Sequence, residues 1–122
     1  NPRKEFKRKV KIFFYDLGVR NALIQNFNPL DLRTDKGALW ENFCVIEYMK
    51  KNYDAEVFNL YFWRNYMQQE VDMVEMKNGK YYAYEFKFNP NKKAKLPTAF
   101  QEIYPEHEFE VIHAENFTKY FL

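Results

Sequence analysis

The sequence predicts an α/β or α+β domain with a mixed sheet, in the element order β-α-α-β-β-β-α-β. Three observations predict this class. A stretch from residue 36 is apolar on most sides of a helix, three successive strand-like segments follow it, and a short helix and a last strand close the pattern. With 122 residues, of which 47% are hydrophobic, the chain can build one compact core.

The main helix is expected over about residues 36–51, with Thr34 or Asp35 immediately before it as its starting residue. Its apolar residues occupy more than one face, which is typical of a helix buried on several sides. Residues 1–35 are predicted to form a separate N-terminal part of the domain, and residues 36–122 its core. The N-terminal part would contain a strand over 12–15, a short helix over 17–24 and a loop over 26–34.

After the main helix the pattern changes to that of strands, rich in aromatic and β-branched residues. A helix starting at a proline and one further strand follow a basic loop around residues 89–95. Residues 117–122 close the chain. The expected bounds are 57–64, 69–76 and 80–88 for the three strands, 97–104 for the short helix and 109–113 for the last strand.

Asn78-Gly79 is the preferred pair for a two-residue type I′ hairpin, because both central residues need positive φ. This turn fixes the register between the second and third strands, so Asp72 is expected opposite Glu85. Like charges directly opposite one another destabilise a sheet. A bound cation, retention of a proton by one acid, or compensation by Lys87 would explain the pair.

A divalent Mg²⁺ or Mn²⁺ is the simplest of these explanations, since both ions prefer oxygen ligands. Lys87 lies two residues after Glu85 and is expected on the same face, where it could stabilise charge developing on a phosphate. The alternative is a solvated surface, in which Glu70 and Lys87 form a salt bridge while both acids face water.

Glu41 is expected on the apolar side of the main helix, where a carboxylate needs a partner. The alternative is a favourable interaction with the helix dipole near its start.

Together these residues resemble the PD-(D/E)XK nuclease-like superfamily, with an acid on a helix, an acid in a strand and a Glu-x-Lys in the next strand. The sequence around these residues is similar to that of the uncharacterised C-terminal domain of bacterial and archaeal AAA-type ATPases. The segments that carry this resemblance are Phe14-Tyr15-Asp16-Leu17-Gly18, Gly37-Ala38-Leu39-Trp40-Glu41-Asn42-Phe43, Tyr61-Phe62-Trp63-Arg64, Gln69-Glu70-Val71-Asp72 and Tyr84-Glu85-Phe86-Lys87.

The resemblance implies a restriction-endonuclease-like core and an upstream P-loop ATPase domain to which residues 1–35 would join. It implies catalytic roles for Glu41, Asp72, Glu85 and Lys87, the three acids binding metal and Lys87 serving as the catalytic lysine. The proline of the signature is absent, since Val71 precedes Asp72. The chain has three glycines and no Gly-x-x-x-x-Gly-Lys-Ser/Thr, so nucleotide binding is not expected within it.

Four further residues are weaker candidates for nucleic-acid contact. Three lysines of the basic loop could hold a phosphate backbone, or form a solvated loop. Gln101 resembles a glutamine that some nuclease relatives use near the site, or is a surface residue. These four residues are Lys92, Lys93, Lys95 and Gln101.

Three functions stay open at this point, and the third of them is a purely structural oligomerisation domain, for which exposed aromatic residues would be the sign. The first is a Mg²⁺- or Mn²⁺-dependent nuclease that hydrolyses DNA or RNA phosphodiesters. The second is a non-catalytic scaffold that binds nucleic acid or a protein and regulates the ATPase. The net charge of +2 does not decide between the first two. The lone Cys44 and the absence of a membrane-length apolar run favour a cytoplasmic protein without a membrane partner.

Overall fold

The computed structural model describes residues 35–52 and 60–121. This part of the chain forms three helices and one four-stranded sheet, whose strands lie in the order β1-β2-β3-β4. The elements, in chain order, are α1 (Lys36–Lys51), β1 (Leu60–Arg64), β2 (Glu70–Lys77), β3 (Lys80–Phe86), α2 (Thr98–Ile103), β4 (His107–Ile112) and α3 (Thr118–Phe121).

Helix α1 has the bounds that the sequence predicts. The backbone N–H of Leu39 donates to the carbonyl oxygen of Asp35 at 2.9 Å, which closes the first turn. At the other end, the side-chain amide of Asn52 donates to the carbonyl oxygen of Tyr48 at 2.8 Å. Burial on more than one face is confirmed by the six buried residues Trp40, Asn42, Cys44, Val45, Ile46 and Tyr48.

The Asn-Gly turn forms as predicted. Asn78 has a φ of 54° and Gly79 a φ of 75°. Two successive positive φ values are what a type I′ turn requires of its central residues. The ladder between β2 and β3 runs in the predicted register, from Lys77 opposite Lys80 to Met73 opposite Tyr84. A local turn rule has therefore fixed the pairing of ten residues.

The sheet is mixed, as predicted. Strand β1 is antiparallel to β2, and β2 is antiparallel to β3. Between β3 and β4 the N–H of Tyr81 donates to the carbonyl of Glu106, and that of Lys87 to the carbonyl of Ile112. The partner on β4 is later in the chain when the residue on β3 is later, so these two strands are parallel.

The described residues belong to two compact units. The sheet unit contains residues 60–85 and 93–111, and its core consists of Val71, Val74, Ala83, Leu96 and Phe100. The helical unit contains residues 35–52, 86–92 and 112–121, with α1 and α3. Aromatic rings dominate its interior: Trp40 stacks on Phe43 at 5.4 Å between centroids and meets Phe117 edge-on at 5.6 Å.

The hairpin departs from expectation in one respect. The sequence suggests one apolar face, carrying Met73 and Tyr84, and one face for charged side chains. In the structure both faces are buried at mid-hairpin, because Val74 and Ala83 on the second face are only 3% and 1% exposed. They pack in one cluster with Phe100 of α2. The carboxylates therefore lie beside a packed interior.

The ends of several elements differ from the predicted ones by one or two residues, as helix and strand ends commonly do. The strand over 12–15, the helix over 17–24, the loop over 26–34 and the first residues of the 57–64 strand lie outside the described residues. Within residues 35–52 and 60–121, none of the helices has the length and apolar character needed to cross a bilayer.

Candidate carboxylate site

A β-bulge interrupts the sheet at Asp72. Tyr61 pairs with Val74 and Trp63 pairs with Val71, so Phe62 alone lies opposite two residues of β2, Asp72 and Met73. Such an insertion breaks the ladder, increases the local twist and re-aims side chains, and it is frequent beside active sites. The bulge thus marks the position that the sequence singles out as a catalytic acid.

Glu85 bonds to the bulged residue. The backbone N–H of Asp72 donates to Oε1 of Glu85 at 3.2 Å, in a partly buried setting. A hydrogen bond to a charged acceptor is stronger than one between neutral groups, so this bond ties β3 to the interrupted position on β2. The structure therefore brings together two of the four predicted catalytic residues, Asp72 and Glu85.

Both acids are half-buried. Each acid therefore keeps some contact with solvent, and the alternative of a solvated surface stays open. Burying a carboxylate costs free energy unless it is hydrogen-bonded, paired or bound to a cation. Glu85 meets part of that requirement through the Asp72 N–H.

Glu70, at the same end of β2, pairs with a neighbouring strand. Its Oε1 lies 3.6 Å from Nε of Arg64, and the two residues are opposite one another on β2 and β1. The Arg64 side chain is 18% exposed and the Glu70 side chain 37%, so this ion pair is partly open to solvent. Arg64 supplies a positive charge close in sequence to the bulge.

Glu41 lies on α1 in the helical unit and is half-buried. The first turn of α1 contains no acidic residue, so Glu41 lies beyond the turn where the helix dipole favours a negative charge. The dipole alternative for Glu41 is therefore weakened. Its role as a metal ligand stays a prediction from the sequence.

Lys87 directly follows the end of β3 and is half-buried in the helical unit. Its backbone N–H donates to the carbonyl oxygen of Ile112 at 3.0 Å, which fixes the main chain at this residue. The catalytic role of Lys87 also stays a prediction from the sequence.

The donor set at the bulge suits a hard divalent cation. Mg²⁺ commonly takes one or two carboxylates and completes its shell with water and substrate oxygens, and Asp72 and Glu85 supply two. Residues 35–52 and 60–121 contain no group of three or more His, Cys, Asp or Glu side chains placed to hold a metal. The binding of Mg²⁺ or Mn²⁺ stays a prediction from the sequence.

The weaker candidates differ in their surroundings. Lys92, Lys93 and Lys95 are exposed, as both of their predicted roles require. Gln101 is half-buried, and its side-chain N–H donates to the carbonyl of Leu96 at 3.0 Å. That bond gives Gln101 a structural task in the loop before α2, while its contact with nucleic acid stays a prediction.

The histidines and the cysteine have structural settings. Nδ1 of His107 lies 2.6 Å from the carbonyl oxygen of Tyr104. Nδ1 of His113 accepts a hydrogen bond from the N–H of Glu115 at 3.1 Å. Cys44 is fully buried.

The sequence does not predict a second feature of the sheet unit, a cavity of about 280 Å³. Five of the six lining side chains are aromatic, and we call this space the aromatic cavity. Its lining consists of Tyr61, Trp63, Val74, Tyr81, Phe100 and Tyr104. Burial raises the pKa of the Tyr104 hydroxyl, and the neighbouring Tyr81 and Tyr61 hydroxyls raise it further. The aromatic content of β1 was the available signal, and it indicates packing as readily as a cavity.

The fold and the site together define a mixed α/β domain with a carboxylate pair at a β-bulge. Comparison with known families gives a more particular assignment: residues 36–119 match the family described as a domain of unknown function, DUF4143. The chain belongs to this family. No curated protein and no solved structure matches it.

Proposed function

We propose that the chain is a metal-dependent nuclease-like domain that acts on DNA or RNA phosphodiesters. The observation that carries the proposal is the half-buried pair of Asp72 and Glu85, joined at a β-bulge by the bond from the Asp72 N–H to Glu85. A half-buried pair of acids is destabilising unless hydrogen bonds, a cation, a proton or a positively charged side chain offset its charge. Selection for stability alone does not favour such a pair.

In this proposal Asp72 and Glu85 would hold Mg²⁺ or Mn²⁺, whose chemistry when bound is Lewis-acid polarisation of a phosphoryl oxygen. The hydrogen bond from the Asp72 N–H orients the Glu85 carboxylate before any substrate arrives. For Glu41 and Lys87 the proposal rests on the sequence motif. Lys87 would offset negative charge on the phosphate, and Glu41 would be a further acid near the metal.

We also propose which domain precedes this chain, which superfamily it is related to and where in the cell it acts. Domains of this family commonly occur with AAA-type ATPases, which supports an ATPase domain upstream of this chain. The PD-(D/E)XK relationship itself is supported by the acid in β2, the Glu-x-Lys at the end of β3 and the mixed sheet. We further propose a cytoplasmic setting, since the chain's only cysteine offers no internal disulfide.

A second candidate function is a non-catalytic nuclease-like scaffold that regulates the ATPase by binding nucleic acid or a protein. One observation favours it: the described residues group no three metal-ligating side chains together.

The two candidates are separated by titrating Mn²⁺ at millimolar concentration by calorimetry. We expect binding to the wild-type chain and its loss in Glu85→Gln, which keeps the size of the side chain but removes its charge. Glu75→Gln is the matched control, because Glu75 is also half-buried, in the same hairpin, and pairs with Tyr82. Equal binding by wild type and Glu85→Gln would contradict the metal site.

Cleavage of labelled DNA and RNA provides the second test. Asp72→Asn should reduce cleavage at least about a hundredfold, the loss typical of removing a group that stabilises charge in the transition state. The melting temperature should stay equal or rise, because the substitution removes like-charge repulsion. Undiminished cleavage by this variant would rule out the proposed role of Asp72, and absence of cleavage by the wild-type chain with either metal would favour the scaffold.

A further inference from the structure

The aromatic cavity lies on the same strands as the carboxylate pair. Val74 lines it and is two residues from Asp72 on β2, while Tyr61, its partner on β1, directly precedes the bulge. Two residues along a strand correspond to about 7 Å. A residue that lines the cavity therefore lies on the same strand as Asp72, a short distance along it.

The walls of the cavity are arranged rings. Trp63 meets Phe100 edge-to-face with centroids 5.4 Å apart, and Phe100 lies 4.8 Å from Tyr104. Tyr81 lies against Tyr104 at 4.3 Å. Phe100 is fully buried, whereas Tyr61 is 49% exposed, so the cavity has a packed floor and an accessible aromatic residue at its edge.

The polar side-chain groups among the described lining residues are the tyrosine hydroxyls and the indole N–H of Trp63. Three tyrosines line the cavity, and within residues 35–52 and 60–121 none of the three hydroxyls forms a hydrogen bond with the protein. Among residues 35–52 and 60–121, the side chains that line the cavity carry no charge. These side chains suit a flat ring with hydrogen-bonding atoms on its edge.

We propose that the aromatic cavity binds one unpaired nucleobase of a single-stranded DNA or RNA, next to the phosphodiester that faces Asp72 and Glu85. The choice of a base over another aromatic ring rests on the proposed nuclease function. A volume of about 280 Å³ accommodates one ring system and not a stacked base pair, so a duplex would have to release a base before binding. Stacking on aromatic side chains is tolerant of sequence, because every base has a π-face.

The test measures binding without cleavage. A single-stranded DNA oligonucleotide of mixed sequence, labelled with fluorescein, is titrated with the 122-residue chain in EDTA, and its fluorescence anisotropy is recorded. Tyr61→Ala should weaken binding about tenfold, in line with the loss of one stacking residue. Tyr66→Ala is the matched control: Tyr66 is 53% exposed, lies in the turn after β1 and does not line the cavity, so it should change the affinity less than about twofold.

Two further readouts locate the base. The oligonucleotide should quench tryptophan emission in the wild-type chain, and this quenching should be lost in Trp63→Phe, which leaves only the buried Trp40. Tyr104→Phe keeps the ring but removes a hydroxyl, and it should weaken binding several-fold. Circular dichroism confirms that each variant is folded.

The proposal is overturned if Tyr61→Ala and Tyr66→Ala weaken binding equally, if duplex DNA of the same sequence competes as well as single strands, or if the wild-type chain does not bind. Because EDTA removes the metal, an inactive nuclease would leave these results unchanged. Conversely, normal metal-dependent cleavage by Tyr61→Ala would overturn the base-binding cavity while leaving the carboxylate site intact.

Discussion

At the turn end of the β2–β3 hairpin, each residue from Lys77 back to Met73 faces one partner on β3, and Asn78 and Gly79 supply the mirror-image turn. At the other end, Phe62 of β1 lies opposite both Asp72 and Met73. The regular end follows from two adjacent residues. The bulged end depends on a third strand and carries the acids, which suggests that local rules build the support and tertiary contacts shape the site.

The largest stability effect is expected at the bulged end. Val71 is fully buried next to the bulge and belongs to the core of the sheet unit. Val71→Ala should lower the free energy of unfolding by about 2–3 kcal/mol, through lost transfer free energy and the space left behind. Urea denaturation measures the change. Val111→Ala in the same unit, where the side chain is half-buried, should cost clearly less. Similar losses would mean that the bulged end tolerates repacking.

At the turn end, the effect of a substitution on stability should come from backbone conformation alone. Gly79 has a φ of 75°, and a Cβ at this position would meet nothing within 4 Å, so Gly79→Ala adds strain without a clash. We expect a loss of about 1–2 kcal/mol in the free energy of unfolding.

The matched control for the turn is Gly37→Ala. Gly37 lies in the first turn of α1, where an added methyl group would also meet nothing within 4 Å, but its φ is not positive. This substitution should stabilise the chain by up to about 1 kcal/mol, because alanine has the higher helix propensity. Thermal denaturation of both variants gives the comparison, and a stabilising Gly79→Ala would refute the strained turn.

The smallest effect concerns Tyr104, whose ring packs on Tyr81 near the turn end. Burial, and then the Tyr81 and Tyr61 hydroxyls, raise the Tyr104 pKa above its ordinary value of 10.0. The folded chain therefore holds this proton more tightly than the unfolded chain. The resulting stabilisation is fully present below pH 10 and is lost as the pH rises through the folded-state pKa.

Stability measured from about pH 9 upward should accordingly fall less steeply for Tyr104→Phe than for the wild-type chain. Tyr66→Phe, at an exposed position, measures the background contribution of a tyrosine outside the cavity. Identical slopes for the wild-type chain and Tyr104→Phe would argue against a buried hydroxyl in the cavity.

The sequence predicts the parts of this fold that are specified locally. The bounds of α1 follow from its apolar pattern, and the β2–β3 register follows from Asn78-Gly79. The bulge was not predictable, because it reflects how β1 fits against β2 and no turn residue marks it. The cover that Phe100 gives to the second face of the hairpin was missed for the same reason, since it depends on a contact distant in sequence.

The candidate site likewise has features that the sequence predicts and features that it does not. The proximity of Asp72 and Glu85 was predicted from the turn, but the hydrogen bond from the Asp72 N–H to Glu85 was not, because it exists at the interrupted ladder. The aromatic cavity was missed, since Tyr61 and Trp63 fit a packed strand equally well.

The interleaving of the two units has a consequence for synthesis on the ribosome. The helical unit takes its residues from 35–52, 86–92 and 112–121, with parts of the sheet unit between them. Trp40 Nε1 donates to the carbonyl of Ile112, 72 residues later, and its ring meets Phe117. Helix α1 therefore leaves the exit tunnel long before Ile112 and Phe117 do, and the nascent chain must shield the apolar surface of the helix until these residues emerge.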